Sequence, residues 1–426
     1  MFTTNLIENV IGKSSHRLNN RKITHCSIDS RRVTSSGMFF AFNGESLDGH
    51  DFIKDLVNKD VICVGSKELD LESDNYIKVK DVLEFITELA RAKRKQIRSE
   101  VIALTGSSGK TSTRQMIVTM LELLDKSVYA TKGNYNNHLG LPLTILNVPD
   151  DVDFIVLELG MNHSGEIADL TKTASPDISV INNIGSAHIG NFRSQKDLAE
   201  AKLEIFENTE GMIVADMDDP FINEWVKSNK NKDITQYHSK EAKLIYNIFP
   251  DQSKYMIDNL FCAENVVKAA AGNIPDRQNV LNNLSLPAMR GEKRVVGERE
   301  FVVDCYNANP ESMQKSIDDF FEKYGNKNNE KIYLILGSMF ELGEFSKKLH
   351  RELVNYIKKV NLLERAFLVG YEFEKVRNDF LNEKKVIFSG DVRSLLEVIP
   401  PVGTFLLKGS RGNKLERILD YLEKEK

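Results

Sequence analysis

The chain has 426 residues, 41% apolar and 28% charged, with a formal net charge of −5, which is enough for roughly two or three domains of ordinary soluble composition. Lys and Arg are spread along the chain, which argues against nucleic acid or an anionic membrane as the main partner. The four cysteines, Cys26, Cys63, Cys262 and Cys305, lack the paired spacing of a disulfide or zinc framework and read as reduced thiols.

The N-terminus has no basic region followed by an apolar core, and no apolar run is long enough to span a bilayer, so the expectation is a cytoplasmic protein without membrane insertion. Up to about residue 95 the chain shows short apolar runs, Met38–Phe42 and Val61–Val64, then one helical stretch at Asp81–Lys95. The polar clusters Asp29-Ser30-Arg31 and Asn43-Gly44 through Asp48-Gly49-His50 read equally well as surface loops or as the grip of a small α/β domain on a polar ligand. The basic stretch Arg91–Lys95 reads as a solvated face and a domain joint.

Residues 101–112, Val-Ile-Ala-Leu-Thr-Gly-Ser-Ser-Gly-Lys-Thr-Ser, are the most informative stretch. Val101–Leu104 predicts a short buried strand, Thr105–Gly109 a small polar turn, and Met116, Ile117, Met120, Leu121 and Leu124 the apolar stripe of a following helix. A strand, a Gly-rich turn and a helix N-terminus together form an anion site. Thr105, Gly106, Ser107, Ser108 and Gly109 would cradle phosphates, Lys110 would add a cation, and the Thr111 hydroxyl, followed by Ser112, would ligate Mg²⁺. Leu104 stands where the strict phosphate-loop pattern has its first Gly, so the sequence also allows an ordinary strand-to-helix turn.

Further on, apolar runs at Phe154–Leu159, Ile178–Ile184 and Met212–Ala215 alternate with helical stretches and predict a mostly parallel sheet covered on both faces. Lys227–Asp233 reads as a polar loop. Beyond Pro287, strand-like runs at Phe301–Val303, Lys331–Leu336, Ala366–Val369, Val386–Phe388 and Thr404–Leu407 alternate with helices such as Glu311–Lys323 and Ser346–Lys359, a second doubly wound unit, with Asn326–Lys331 as a polar connector. Three residues stand out in the central part. Glu158 ends a strand and is placed to hold Mg²⁺, or is a solvated strand-end carboxylate. His188 follows the next strand and is either structural or faces the same crevice. Lys202 lies on a helix and reads by itself as a surface cation.

The ordered series Thr-Gly-Ser-Ser-Gly-Lys-Thr (105–111), Thr-Lys-Gly-Asn-Tyr-Asn-Asn-His-Leu-Gly-Leu-Pro (131–142), Glu-Leu-Gly-Met-Asn-His-Ser-Gly-Glu-Ile (158–167), Ala-His (187–188), Ala-Lys-Leu-Glu-Ile-Phe (201–206), Asp-Cys-Tyr-Asn-Ala-Asn-Pro (304–310), Leu-Gly-Ser-Met-Phe-Glu-Leu-Gly-Glu (336–344) and Leu-Lys-Gly-Ser-Arg-Gly (407–412) resembles the Mur ligase family from about residue 25 to the C-terminus. The resemblance implies an α/β protein of three domains. These are a small N-terminal α/β domain over 1–95 that binds a UDP-sugar, a central phosphate-loop, parallel-sheet ATPase domain over 96–286, and a Rossmann-like C-terminal domain over 287–426 that meets the nucleotide and the incoming amino component. The implied activity is ATP-dependent, ADP-forming amide ligation through an acyl phosphate, in which a dipeptide, D-alanyl-D-alanine, is added to a UDP-N-acetylmuramoyl-tripeptide for peptidoglycan synthesis. The alternatives are a paralogue joining an amine to a different carboxylate and a catalytically silent nucleotide-binding scaffold.

The same resemblance implies roles residue by residue. Lys110, Glu158, His188 and Lys202 would be catalytic. Thr111 and Glu158 would hold a first Mg²⁺ ion, and His188 with a CO₂-derived carbamate on Lys202 would hold a second. Asn265 would contact adenine, with Asp304, Tyr306, Asn307 and Asn309 meeting the nucleotide and Arg290 on the hinge side. Ser27, Asp29, Ser30, Arg31, Asn43, Gly44, Asp48 and His50 in the N-terminal loops would bind the UDP-sugar substrate, Asn134 and Asn137 would also be substrate-binding, and Lys408, Ser410 and Arg411 would sit near the amino component. The expected partners are these small molecules, with no nucleic acid, and the expected state is a monomer. Three departures from the family pattern stand out: Lys268 in place of a second Asn, Ser338 in place of an Asp, and a short Asp216–Asn265 stretch that implies loss of a β-hairpin region.

Overall fold

The computed structural model describes residues 1–12, 20–71, 73–249, 252–325 and 331–424, so residues 326–330 of the polar connector lie outside the described residues. The N-terminal part pairs β1 (Phe2–Thr3) with β2 (Lys22–Ile23) antiparallel, and stacks β3 (His25–Ser27), β4 (Gly37–Phe40), β5 (Ile62–Gly65) and β6 (Tyr76–Lys78) into a parallel sheet. Its helix Val82–Arg94 starts where Asp81 Oδ1 accepts from Leu83 N at 2.7 Å and Glu84 N at 2.9 Å, a cap worth about 1 kcal/mol. The basic end of this helix is a joint, as expected, but not a solvated face. Lys93 is buried and donates to Leu146 O at 2.9 Å and Val148 O at 2.8 Å, and Arg94 Nε donates to Ala174 O at 2.8 Å. The Lys93 ammonium is held at the end of helix Gly140–Leu146, by the carbonyl of its last residue and by one just beyond it.

The central sheet contains β7 (Glu100–Thr105), β8 (Val128–Ala130), β9 (Phe154–Glu158), β10 (Ile178–Ile181), β11 (Met212–Asp216) and β12 (Ile234–Tyr237) in the order β12-β11-β10-β7-β9-β8, with every pair parallel. The apolar run of β7 is explained by burial on both faces. Val101 and Ala103 join one core, while Ile102 and Leu104 join another. β9 lies on one side of β7 and β10 on the other, so a crevice opens beyond the carboxyl end of β7. Helix Lys110–Leu123 buries Met116, Ile117, Met120 and Leu121, and Leu124 falls just past its end. The run at Ile178–Ile184 is strand only to Ile181, because Asn182 and Asn183 turn to clamp the phosphate loop. Lys227 and Ser228 belong to helix Pro220–Ser228, leaving 229–233 as the loop. Among the described residues of the short 216–265 stretch, β12 is the strand and no antiparallel hairpin is present.

The C-terminal sheet contains β13 (Glu292–Val296), β14 (Glu298–Asp304), β15 (Ile332–Gly337), β16 (Leu363–Val369), β17 (Val386–Ser389) and β18 (Val402–Lys408) in the order β13-β14-β18-β15-β16-β17. It is parallel except for β13, which pairs antiparallel with β14 through a turn at Gly297, φ 65°. The carboxyl ends of β14 and β18 face the same cavity as the phosphate loop.

Candidate active site

A cavity of about 870 Å³ lies between the central and C-terminal sheets and is lined from both sides. Its floor is the turn after β7. Gly109 has φ 77°, and a Cβ there would stand 2.2 Å from Asn259 Oδ1, so glycine is required on both counts. Asn182 and Asn183 hold the turn: Ser107 N donates to Asn183 O at 3.0 Å, Ser108 N donates to Asn183 Oδ1 at 3.0 Å, and Asn182 Nδ2 donates to Ser108 O at 2.8 Å. Thr105 is buried beneath, with Oγ1 donating to Leu159 O at 2.8 Å. Ser107 through Ser112 line the cavity, and the helix they open has no side-chain cap at Gly109. Its first N–H groups are therefore left for a ligand. Lys110 Nζ curls back to Gly106 O at 2.6 Å; burial lowers its pKa, and the nearby Glu158 charge opposes that shift.

Glu158 is not a solvated strand end. It is 3% exposed, and its carboxylate receives Arg114 Nη1 at 3.0 Å, Asn136 Nδ2 at 2.9 Å and the Thr111 hydroxyl at 3.4 Å. From the facing domain, Arg290 Nη2 donates to Thr111 Oγ1 at 3.1 Å while its guanidinium lies 4.2 Å over the Tyr306 ring. His188 lines the cavity, with Nδ1 2.7 Å from Glu341 Oε2. Lys202 is not a surface cation. It is 1% exposed on helix Gln195–Glu207, and burial, reinforced by the charge of Lys110, holds its pKa well below the usual lysine value.

Across the cavity, Asp304 Oδ2 receives the buried Lys408 Nζ at 2.7 Å and Ser316 Oγ at 2.8 Å. Tyr306, Asn307 and Asn309 line the wall. The Asn307 side chain accepts from its neighbour Ala308 N at 2.8 Å, and Asn309 caps helix Pro310–Tyr324 by accepting from Ser312 N at 2.9 Å.

Several expected residues have other places. Asn265 is not among the cavity-lining residues; its amide bonds back to Phe261 O at 2.8 Å. Asn259, six positions earlier on the same helix, is 2% exposed and sits against Gly109 instead, with Oδ1 receiving Asn182 Nδ2 at 3.0 Å. Six residues turn an α-helix by about 240°, so the two amides point to different sides. Lys268 is exposed near the end of that helix and also lies off the cavity. Ser410 is buried and ties loops together, accepting from Phe340 N at 3.1 Å and donating to Ala308 O at 3.4 Å; Arg411 pairs with Glu416 at 2.7 Å. Neither lines the cavity, whereas Lys408 does. Ser338 is fully buried and donates to Val369 O at 3.2 Å.

Asn134 and Asn137 line the cavity, although Asn137 Oδ1 also accepts from Gly140 N at 2.8 Å. The N-terminal residues Ser27, Asp29, Ser30, Arg31, Asn43, Gly44, Asp48 and His50 stand outside it. The Asp29 carboxylate forks onto Arg31 at 2.9 and 2.9 Å, and this hydrogen bonding lowers its pKa to about 2. His50 is buried, with Nδ1 2.6 Å from Asp48 Oδ1 and Nε2 accepting from Ser66 N at 2.9 Å. With both ring nitrogens occupied, His50 pins its loop and is not presented to a ligand.

Sequence reasoning did not single out Arg114, Asn136, Asn183, Asn259 or Glu341. Arg114 could have been found: it stands four residues after Lys110 and so shares its helix face.

The chain matches the Mur ligase middle domain over residues 104–288, the Mur ligase glutamate ligase domain over 289–411 and the Mur ligase family catalytic domain over 22–98. It is 32% identical to the UDP-N-acetylmuramoyl-tripeptide–D-alanyl-D-alanine ligase of Rickettsia prowazekii, covering 93% of this chain and 94% of that one. It is also 32% identical to the Bacillus subtilis enzyme of that name, covering 98% and 97%. Among solved structures, a MurF ligase from Thermotoga maritima in complex with ADP superposes with a TM-score of 0.79 at 27% identity over 95% of this chain and 98% of that one. A MurF structure from Acinetobacter baumannii shares the fold with a TM-score of 0.84 at 24% identity over 99% of each chain. The chain belongs to the Mur ligase family.

Proposed function

We propose that the protein is the ATP-dependent ligase that joins D-alanyl-D-alanine to UDP-N-acetylmuramoyl-tripeptide, releasing ADP and phosphate, as a cytoplasmic step in peptidoglycan precursor synthesis. One observation carries the reading: an uncapped phosphate loop, the buried Glu158 and His188 converge on one cavity that a second domain covers. The match to the two D-alanyl-D-alanine ligases over nearly the whole chain supplies the substrates.

In this reading the peptide carboxylate attacks the γ-phosphorus of ATP and yields an acyl phosphate and ADP. The dipeptide amine then attacks the acyl carbon, and the tetrahedral intermediate expels phosphate and leaves an amide. Both first-step reactants are anionic. Lys110, the loop N–H groups and Arg290 offset that repulsion, and Arg114 fixes Glu158 from behind. The covering C-terminal domain excludes water that would hydrolyse the acyl phosphate.

The donor set suits Mg²⁺. Among the described residues no group of three or more His, Cys, Asp or Glu side chains could hold a metal, and Mg²⁺ is commonly bound by one or two carboxylates together with substrate phosphates. Thr111 and Glu158 would hold one ion, and His188 with a Lys202 carbamate a second. Such ions supply charge neutralisation at the transferred phosphoryl group. A carbamate fits Lys202 because burial and the charge of Lys110 lower its pKa and so favour the neutral amine over the ammonium, and no hydrogen-bonding partner for the amine is present among the described residues. The amine adds to CO₂ with loss of a proton and becomes an anionic oxygen donor. The UDP-sugar would engage the N-terminal loops around Asp29–Arg31 and Asn43–Asp48, with domains at 1–95, 96–286 and 287–426 and a monomeric chain.

The test is ADP release with Mg²⁺, ATP, UDP-N-acetylmuramoyl-tripeptide and D-alanyl-D-alanine, with the coupled product identified by mass. Free D-alanine should be a much poorer acceptor, because groups meant for the second residue would be left unpaired. ADP release that ignores the UDP-tripeptide overturns the proposal.

A further inference from the structure

The cavity is closed by a joint between two loops, one after β10 (residues 186–191) and one after β15 (residues 341–343). Gly190 N donates to Glu341 O at 3.0 Å. A Cβ on Gly190 would stand 2.2 Å from Gly343 N, and a Cβ on Gly343 would stand 2.7 Å from Gly190 Cα, so the two backbones touch where only glycine permits it. On either side of this contact the chain is left-handed, at His188 with φ 68° and at Glu341 with φ 64°. Neither residue is glycine, and such conformations persist only where the surroundings enforce them. The two side chains meet as an ion-pair contact, with His188 Nδ1 2.7 Å from Glu341 Oε2 but off the line of a well-formed hydrogen bond. Beside them Ser186 donates to Glu311 through its N at 3.1 Å and its Oγ at 2.8 Å. Both glutamates come from the C-terminal domain, and Glu341 lies within reach of the Lys110 charge.

We propose that Glu341 is a positioning residue. Its carboxylate arrives only when the C-terminal domain docks, and it then holds the His188 imidazole toward the phosphate loop. Closure and assembly of the site are thereby one event. Glycine at 190 and 343 lets the loops approach closely enough for the carboxylate to reach. The inference rests on the proposed ligase activity for its turnover measurement but not for its distance measurement.

The experiment pairs spin labels on added cysteines, Leu244→Cys in the central domain and Leu381→Cys in the C-terminal domain, which are 77% and 70% exposed. The native cysteines are buried and their thiols are pushed up to about 12, so the added ones label selectively. In ligand-free protein, Glu341→Gln should shift the interlabel distances toward longer, broader values. Gly190→Ala should do the same without touching a charge, because its methyl wedges the joint. Glu341→Gln should also lower kcat about 10–100-fold, the scale of losing a group that orients a ligand side chain, with KM for the UDP-peptide little changed. Glu341→Asp should recover part of both effects. Wild-type distances in Glu341→Gln, with or without lost turnover, overturn the proposal, and so does wild-type kcat in that variant. If the wild-type protein does not couple the proposed substrates, the functional reading falls, while the distances of Glu341→Gln and Gly190→Ala still decide the joint.

Discussion

Two helices begin at the cavity from opposite sides, Lys110–Leu123 after β7 and Pro310–Tyr324 after β14. Each follows a parallel strand in a doubly wound sheet, yet they treat their N-termini in opposite ways. The central helix begins at Gly109, which offers no capping side chain. The C-terminal helix begins at Asn309, whose amide forms a capping box with Ser312, and has Pro310 at its first position, where there is no N–H. Strand, turn and helix therefore do not by themselves make an anion site. The decisive feature is whether the chain satisfies its own first-turn donors or leaves them to a ligand.

The largest expected effect comes from removing the cation on the uncapped side. Lys110→Ala should lower turnover by at least ~10²–10³-fold while the protein stays folded, the scale of losing one preorganised electrostatic group. Near-normal kcat in a folded variant would mean that the uncapped helix is not the phosphate site. Lys202→Ala should be similarly inactive, with partial recovery on adding small carboxylic acids that stand in for the carbamate. Lys202→Met should be inactive yet melt at or above the wild-type temperature, because it replaces a buried amine with an apolar chain of similar length. An active Lys202→Met removes the carbamate from the reading.

A smaller effect is expected at Gly109. Gly109→Ala places a side chain at φ 77° against Asn259, at a cost of about 1–3 kcal/mol of stability. It should also raise KM for ATP, because the turn must shift away from the bound phosphates. A variant that melts lower but keeps its ATP KM would separate the turn's conformation from its ligand.

The elements themselves were legible for physical reasons. β7 is buried on both faces, so its sequence is an unbroken apolar run, and the glycines of the turn mark a backbone that no other residue can follow. β8, β12 and β13 were not legible: they are short outer strands, and β13 has exposed Lys293, Arg294 and Val295 and little apolar pattern. The motif residues Lys110, Thr111, Glu158 and His188 were readable from local order. Arg114, Asn136 and Asn259 were not singled out because their importance comes from neighbours distant in sequence. Asn265 misled because a helix sequence alone does not say which of its polar faces meets a cavity and which bonds back to its own backbone. Lys202 was readable only through the family resemblance, since nothing local marks a helical lysine as buried. His50 misled in the reverse direction, as a polar loop residue that the fold uses entirely for itself.

The smallest effect gives the sharpest test of the two helices. Asn309 lines the cavity and belongs to a motif expected to meet the nucleotide, but its amide oxygen accepts from Ser312 N and its own backbone N–H donates to Ser312 Oγ in return. A side chain so engaged is a cap first. Asn309→Ala should therefore cost roughly 0.5–2 kcal/mol of stability, the range for losing an N-cap. Asn309→Asp and Asn309→Ser should recover most of it, because both still present an oxygen to the first turn. ATP KM should stay near wild type in all three variants. The measurement is a denaturant or thermal midpoint for each variant beside its ATP titration. A stable Asn309→Ala with a tenfold higher ATP KM would reverse the assignment and make both helix starts part of the nucleotide site. The predicted pattern, lower stability with unchanged KM, would leave phosphate binding to the uncapped helix.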